Sequence, residues 1–303
     1  MNPVVWRLVV TAALALAGVP GQAAELAVRG AWTQGGMIVG QVAPVAKVWL
    51  GRKAVAVGRD GHFILGLDRD APREIELTVS DPLGEQRYRF AVARRDYPVQ
   101  RVDGVPARTV TPPAEMLARI RREQEWVDRA RAEVSARQDF LAGFTRPLQG
   151  PITGVYGSTR IYNGVPRNPH FGLDIAAPTG ALVRAPAAGV VRLAQPDLYF
   201  SGGTLIVDHG QGLSSTFMHL SALLVGEGEE LAPGDPIARV GATGRATGPH
   251  LDWRMNWRDV RVDPALVLDH FPSVKAAATG SAGVAADPQA AQSAALVSPA
   301  AQP

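Results

Sequence analysis

The chain reads as mainly β: a small antiparallel sandwich, a connecting helix, and a larger C-terminal β domain. Three observations predict this. Short apolar runs separated by turn residues fill the segment from Glu25 to Tyr97. After Pro112-Pro113 the apolar spacing becomes helical. From Pro147 to Phe271, Gly and Pro recur every few residues, as expected of many short strands joined by tight turns.

The elements follow in order. Arg7 precedes a mostly apolar run from Leu8 to Val19, then Pro20, Gly21 and the small residues Ala23 and Ala24. This is the pattern of an export signal over residues 1–24, cleaved after Ala23 or Ala24. The run falls short of the roughly 20 residues of a comfortable membrane span. Lys47–Leu50, Ala54–Val57, His62–Leu65, Ile75–Val79 and Tyr88–Val92 have strand composition, with breaks at Gly51, Asp60-Gly61, Asp70–Pro72 and Asp81–Gly84. They predict an immunoglobulin-like sandwich over residues 25–99 that serves as a spacer or docking module. Residues 100–146 form a linker with an amphipathic helix from Ala114 to about Gly143. Its stripe is Leu117, Ile120, Val127, Val134 and Leu141, interrupted by Gln124, Arg131 and Gln138, so a coiled coil is not expected. In residues 147–271, strands are expected at Ala185–Leu193, Gly203–His209, Leu213–Leu220, Pro236–Val240 and His250–Met255. The aperiodic Ala/Ser/Gln/Pro tail, 272–303, has the composition of a disordered segment.

Composition excludes several functions. A net charge of +3 over 303 residues, with no Lys/Arg stripe interleaved with aromatics, is no nucleic-acid footprint. The sequence pI near 9.5 suits loose attraction to an acidic polymer such as a cell wall. With no cysteine, disulfides, zinc-thiolate sites and thiol catalysis are ruled out.

The chemistry concentrates in His170-Phe-Gly-Leu-Asp174, Met218-His219-Leu220 and His250-Leu-Asp252. Few side chains besides His and Asp bind a divalent metal at neutral pH. On a strand, residues i and i+2 share a face, so His250 and Asp252 point one way while Leu251 and Trp253 point the other. By the same rule Ser215, Phe217 and His219 share a face. His62, His209 and His270 read as surface or turn residues, and Trp253 and Trp257 as core. Asn163-Gly164 reads as a turn beside the His170 loop, and Arg160, Asn163 and Tyr199 are candidates for lining a substrate groove.

The order His-x3-Asp, His-Leu-Ser, Gly-Pro-His-Leu-x-Trp resembles the lysostaphin/LytM-type zinc metallopeptidases, with their duplicated hybrid motif. The frame matches too, in Gly154–Ser158, Gly172–Pro178, Ala185–Val190, Gly241–Gly244 and Val262–Pro264. The resemblance implies a half-open, barrel-like domain with one Zn2+ in a groove, acting on peptidoglycan. It implies that His170 and Asp174 hold the metal and that His219 and His250 work on water and transition state. The third metal position, histidine in the family's His-x-His, is Asp252 here. A carboxylate is a legitimate zinc ligand at about 2.0–2.2 Å. Two of them, however, cancel the ion's charge, which weakens water activation and relaxes the preference for zinc over other divalent metals. The expectation is an exported endopeptidase of a Gram-negative periplasm, not membrane-spanning once the signal is removed. An envelope protein partner would use the sandwich or the helix. The alternative is a non-catalytic LytM-type domain that binds the wall or activates a partner hydrolase.

Overall fold

The computed structural model describes residues 26–103 and 112–273. The expected signal peptide and all but the first two residues of the tail lie outside the described residues.

Seven strands build the N-terminal part: β1 (Ala27–Gly30), β2 (Met37–Gln41), β3 (Lys47–Leu50), β4 (Lys53–Val55), β5 (His62–Gly66), β6 (Glu74–Asp81) and β7 (Gly84–Ala91). They form two antiparallel sheets, ordered β1-β2-β5 and β4-β3-β6-β7. Alternation decides which side is buried: Leu77 and Val79 on β6 are fully enclosed, while Glu74 at its start is exposed. The β6–β7 hairpin is closed by Asp81, whose Oδ1 accepts the N–H groups of Leu83 and Gly84.

This part does not hang from a tether. Its apolar core is continuous with that of the C-terminal part, and Gly66 leaves room for Trp257, Val260 and Val262. Polar contacts fix the same boundary. Arg95 donates to Asp263 at 2.8 Å, Arg69 to the Gly157 carbonyl at 2.8 Å, and Gln211 to the His62 carbonyl at 3.0 Å.

β8 (Val99–Val102) runs parallel to β10 (Thr159–Tyr162), which turns through Asn163-Gly164 into β11 (Val165–Arg167). Asn163 and Gly164 both take positive φ, 49° and 81°, as the expected turn requires. The helix α1 spans Leu117–Ala132, shorter than the expected reach to Gly143. Glu133 is already extended, because the next residues are held by tertiary contacts: the Ser135 carbonyl accepts the Gln211 N–H at 2.9 Å. The buried stripe is also displaced from the one expected. Leu117 and Val134 are exposed, whereas Glu123 and Ala130 are buried, with Trp126 and Val127 packed beside them against Leu193, Leu198 and Ile206.

The remaining strands are β9 (Ile152–Gly154), β12 (Leu173–Ala176), β13 (Leu182–Arg184), β14 (Gly189–Leu198), β15 (Gly202–Gly210), β16 (Leu213–Leu223), β17 (Glu230–Leu231), β18 (Pro236–Val240), β19 (His250–Trp257) and β20 (Val260–Val262), followed by the short helix α2 (Pro264–His270). One sheet runs β17-β14-β15-β16-β19-β12-β9, with β18 joined to β16 and β13, and β20 to β19. The path does not close, so the domain is mainly β and only half a barrel. On β19, Leu251, Trp253 and Met255 are fully buried toward the core, which leaves His250, Asp252 and Arg254 on the opposite face.

Candidate metal centre and groove

Strand register assembles the first half of the site. On adjacent antiparallel strands Asp174 of β12 pairs directly with Asp252 of β19, and Ala176 with His250. Directly opposed residues share a face, so the two carboxylates meet. His170 comes from the loop before β12. That loop is pinned by its own backbone, the His170 N–H donating to the Ser158 carbonyl at 2.8 Å and the His170 carbonyl accepting the Gly157 N–H at 2.6 Å.

The three side chains are buried, and their donor atoms lie within 4.8 Å of one another. His170 Nε2 is 3.0 Å from Asp174 Oδ1 and 3.4 Å from Asp252 Oδ2. Yet Nε2 and Oδ1 make no properly directed hydrogen bond. Buried polar atoms that converge without bonding one another suit a cation placed between them. Two glycines make room: a Cβ on Gly154 would strike Asp174 Oδ2, and one on Gly172 would strike Asp252 Oδ1. The donor set therefore fits a divalent metal.

Each carboxylate also has a guanidinium behind it. Arg160 Nη2 donates to Asp174 Oδ2 at 2.7 Å. Arg254 grips Asp252 with two nitrogens, Nε to Oδ1 at 3.0 Å and Nη2 to Oδ2 at 2.7 Å. Burial alone would push the Asp252 carboxyl up, but Arg254 and His170 hold it well below the usual carboxylate range. Burial likewise opposes a charge on His170, but Asp252 and Asp174 raise its pKa above the ordinary value.

The second half of the site departs from regular strand geometry. Phe217 of β16 pairs with Trp253 on the core side, and Ser215 receives the Trp253 indole N–H at 3.2 Å. Regular alternation would bury His219 with them. Instead His219 has φ of 64°, a left-handed conformation that costs a non-glycine residue about 1–3 kcal/mol. Its N–H leaves the ladder to meet the Ser201 carbonyl at 2.8 Å. The ring emerges on the groove side, 4.8 Å from that of His250 between centroids. The shared face expected for Ser215, Phe217 and His219 is thus broken at the functional residue.

Both rings are held in one tautomer. His219 Nδ1 lies 2.8 Å from the Thr243 carbonyl, and His250 Nδ1 lies 2.8 Å from the Gly248 carbonyl. A carbonyl only accepts, so each Nδ1 carries a hydrogen, which in the neutral imidazole leaves the lone pair on Nε2. Burial, helped by the neighbouring His250, lowers the His219 pKa to about 4, so its ring is neutral at pH 7.

A groove of about 280 Å³ runs over these residues, lined by Asp174, His219 and His250 and walled by Gln100, Thr153, Arg160, Ala176, Arg245 and Thr247–Pro249. Arg160 is one of the residues lining this cavity. Asn163 and Tyr199 do not line the groove: Asn163 makes the β10–β11 turn, and the Tyr199 N–H is bound by Glu123 of α1 at 2.7 Å. Three contributors escaped the sequence reading. Arg254 sits two residues beyond Asp252 on the same face, so strand periodicity could have found it. Gln100 and Glu123 arrive from the linker by tertiary packing, without a local signal. His209, near the end of β15, is buried between the Ala188 carbonyl and the Ser215 hydroxyl and lies outside the metal group. His62 caps its own turn on Asp60, and His270 is exposed.

Comparison with known proteins agrees with this geometry. Residues 168–264 match the sequence profile of Peptidase family M23. The chain is 34% identical over 128 residues to the peptidoglycan DD-endopeptidase ShyB of Vibrio cholerae, covering 42% of this chain and 27% of that protein. It is 36% identical over 105 residues to the DD-carboxypeptidase/endopeptidase Mpg of Neisseria meningitidis, covering 35% and 24%. The chain thus spans about a quarter of the length of these relatives. A crystal structure described as an M23 peptidase from Pseudomonas aeruginosa aligns at a TM-score of 0.61 with 32% identity, covering 78% of this chain and 94% of that one.

Proposed function

The chain belongs to peptidase family M23, and on that premise we propose that it is an exported, metal-dependent peptidoglycan endopeptidase that cuts peptide cross-links or stem peptides. One observation carries the reading. Three buried metal-type donors converge, and one of them, Asp174, lines an open groove together with the imidazoles of His219 and His250.

His170, Asp174 and Asp252 would hold the ion, which supplies Lewis acidity toward a scissile carbonyl and toward water. The chain's own residues do the rest. His219 and His250 present bare Nε2 atoms, and a bare Nε2 accepts a proton before it can donate one. Whichever ring takes the proton from water becomes the donor to the departing amine, and the other polar groups of the groove stabilise developing negative charge. Arg160 fixes Asp174, and the groove seats an extended peptide between the β10–β11 hairpin and the loop preceding β19. Relatives named as DD-endopeptidases support peptidoglycan as the substrate. The run from Leu8 to Val19 supports export, with the sandwich or α1 as the surface for an envelope partner.

The decisive experiment digests purified muropeptides with the full chain. New amino termini should appear, and chelator or His219→Ala should abolish them. The ion pairs Arg160–Asp174 and Arg254–Asp252 favour a second reading, because each carboxylate already faces a cation of the chain itself. In that reading the domain binds wall or activates a partner hydrolase. No cleavage, and no zinc bound at stoichiometric zinc, would select it.

A further inference from the structure

Aspartate at the third metal position has an electrostatic consequence. His170, Asp174 and Asp252 together carry −2 when the imidazole is neutral, whereas histidine at position 252 would leave −1. The structure places a cation where that difference arises. Arg254 is on the same strand and face as Asp252, and its fork covers both oxygens of the buried carboxylate. Arg160 pairs with Asp174 whichever residue stands at 252, so Arg254 is the cation that offsets the extra charge of Asp252.

Arg254 has two further cations near it. Its cross-strand neighbour Thr216 receives a hydrogen bond from Arg131 of α1 at 3.2 Å. Arg261, reached from β20, is bound to Asn256 at 2.9 Å. Both half-buried guanidiniums lie close enough to Arg254 to repel it, which leaves the Asp252 carboxylate as its favourable partner.

We propose that Arg254 is a charge-cancelling positioning residue, and that Asp252 and Arg254 together replace one neutral ligand. This rests on reading His170, Asp174 and Asp252 as metal ligands. It accounts for how a second carboxylate can be accommodated without neutralising the ion.

The test measures zinc dissociation constants by chelator competition on the full chain, purified without metal. An outer partner that only orients its ligand costs about 10–100-fold in metal affinity when removed. A charge-cancelling partner has the opposite sign. Asp252→His alone leaves a neutral ligand beside an uncancelled cation, and should weaken zinc binding by roughly tenfold or more. Adding Arg254→Gln to Asp252→His should return the affinity to within about tenfold of the natural chain. If the single and double variants bind zinc equally, the proposal is overturned. Should Asp252→His alone fail to fold, Arg254→Gln beside the natural Asp252 decides. Tighter zinc binding supports the proposal, and equal or weaker binding overturns it. A natural chain that binds no zinc overturns the metal-site reading itself, and the proposal with it.

Discussion

His219 makes the stability of this protein depend on pH in a calculable way. Its ring is buried and unprotonated, with a pKa lowered to about 4 from 6.5, first by burial and then by His250. The unfolded chain therefore binds a proton that the folded chain refuses. Stability is fully present above about pH 6.5 and is lost as pH falls toward 4, by about 3 kcal/mol at the rate of 1.36 kcal/mol per pKa unit. Replacing His219 with Asn removes this titration and leaves the other acid-sensitive groups in place. Urea denaturation of both proteins with chelator present, at pH 7 and at pH 4, isolates the term as a difference of differences. The natural chain should lose about 3 kcal/mol more than the variant. Parallel losses would refute both the burial of the ring and the neutral tautomer on which the proton shuttle depends.

Other predictions test the supports of the site. Gly172→Ala should weaken zinc binding at least tenfold and lower stability by about 1–3 kcal/mol, because the new Cβ meets Asp252 Oδ1 and, at 2.8 Å, Arg254 Cγ. Chelator competition and thermal melting read the two effects. Glu123→Ala leaves the Tyr199 N–H without its buried acceptor and should cost about 2 kcal/mol, or a melting temperature lower by roughly 4–8 °C. Glu123→Gln keeps an acceptor oxygen and should lose less than half of that. Identical melting of all three proteins would show that α1 does not brace the hairpin tip.

Much of this molecule is legible in its sequence, and the illegible parts share a cause. Alternation over β19 correctly separates Leu251 and Trp253 from His250 and Asp252, because a paired strand imposes period two on every side chain. The Asn163-Gly164 turn is legible because φ above zero selects those residue types. His219 defeats the same rule. Its positive φ is imposed by the Ser201 and Thr243 carbonyls, which come from chain segments distant in sequence. The end of α1 and its displaced stripe fail for the same reason, since the partners of Ser135 and Glu123 lie on the β15–β16 turn and the β14–β15 tip.

The two halves of the site therefore differ in what holds them. Asp174, Asp252 and His250 sit on strands whose ladder bonds fix their spacing, and His170 is tied on both sides by Gly157 and Ser158. His219 stands on a strained residue whose geometry depends on the β14–β15 tip through Ser201. That tip is fastened to α1 through Glu123 and Tyr199, and Glu123 is in turn paired with Arg119, which also reaches Asp197. A contact that displaces α1 would reach His219 through Glu123 and the β14–β15 tip, and Arg254 through the Arg131–Thr216 hydrogen bond.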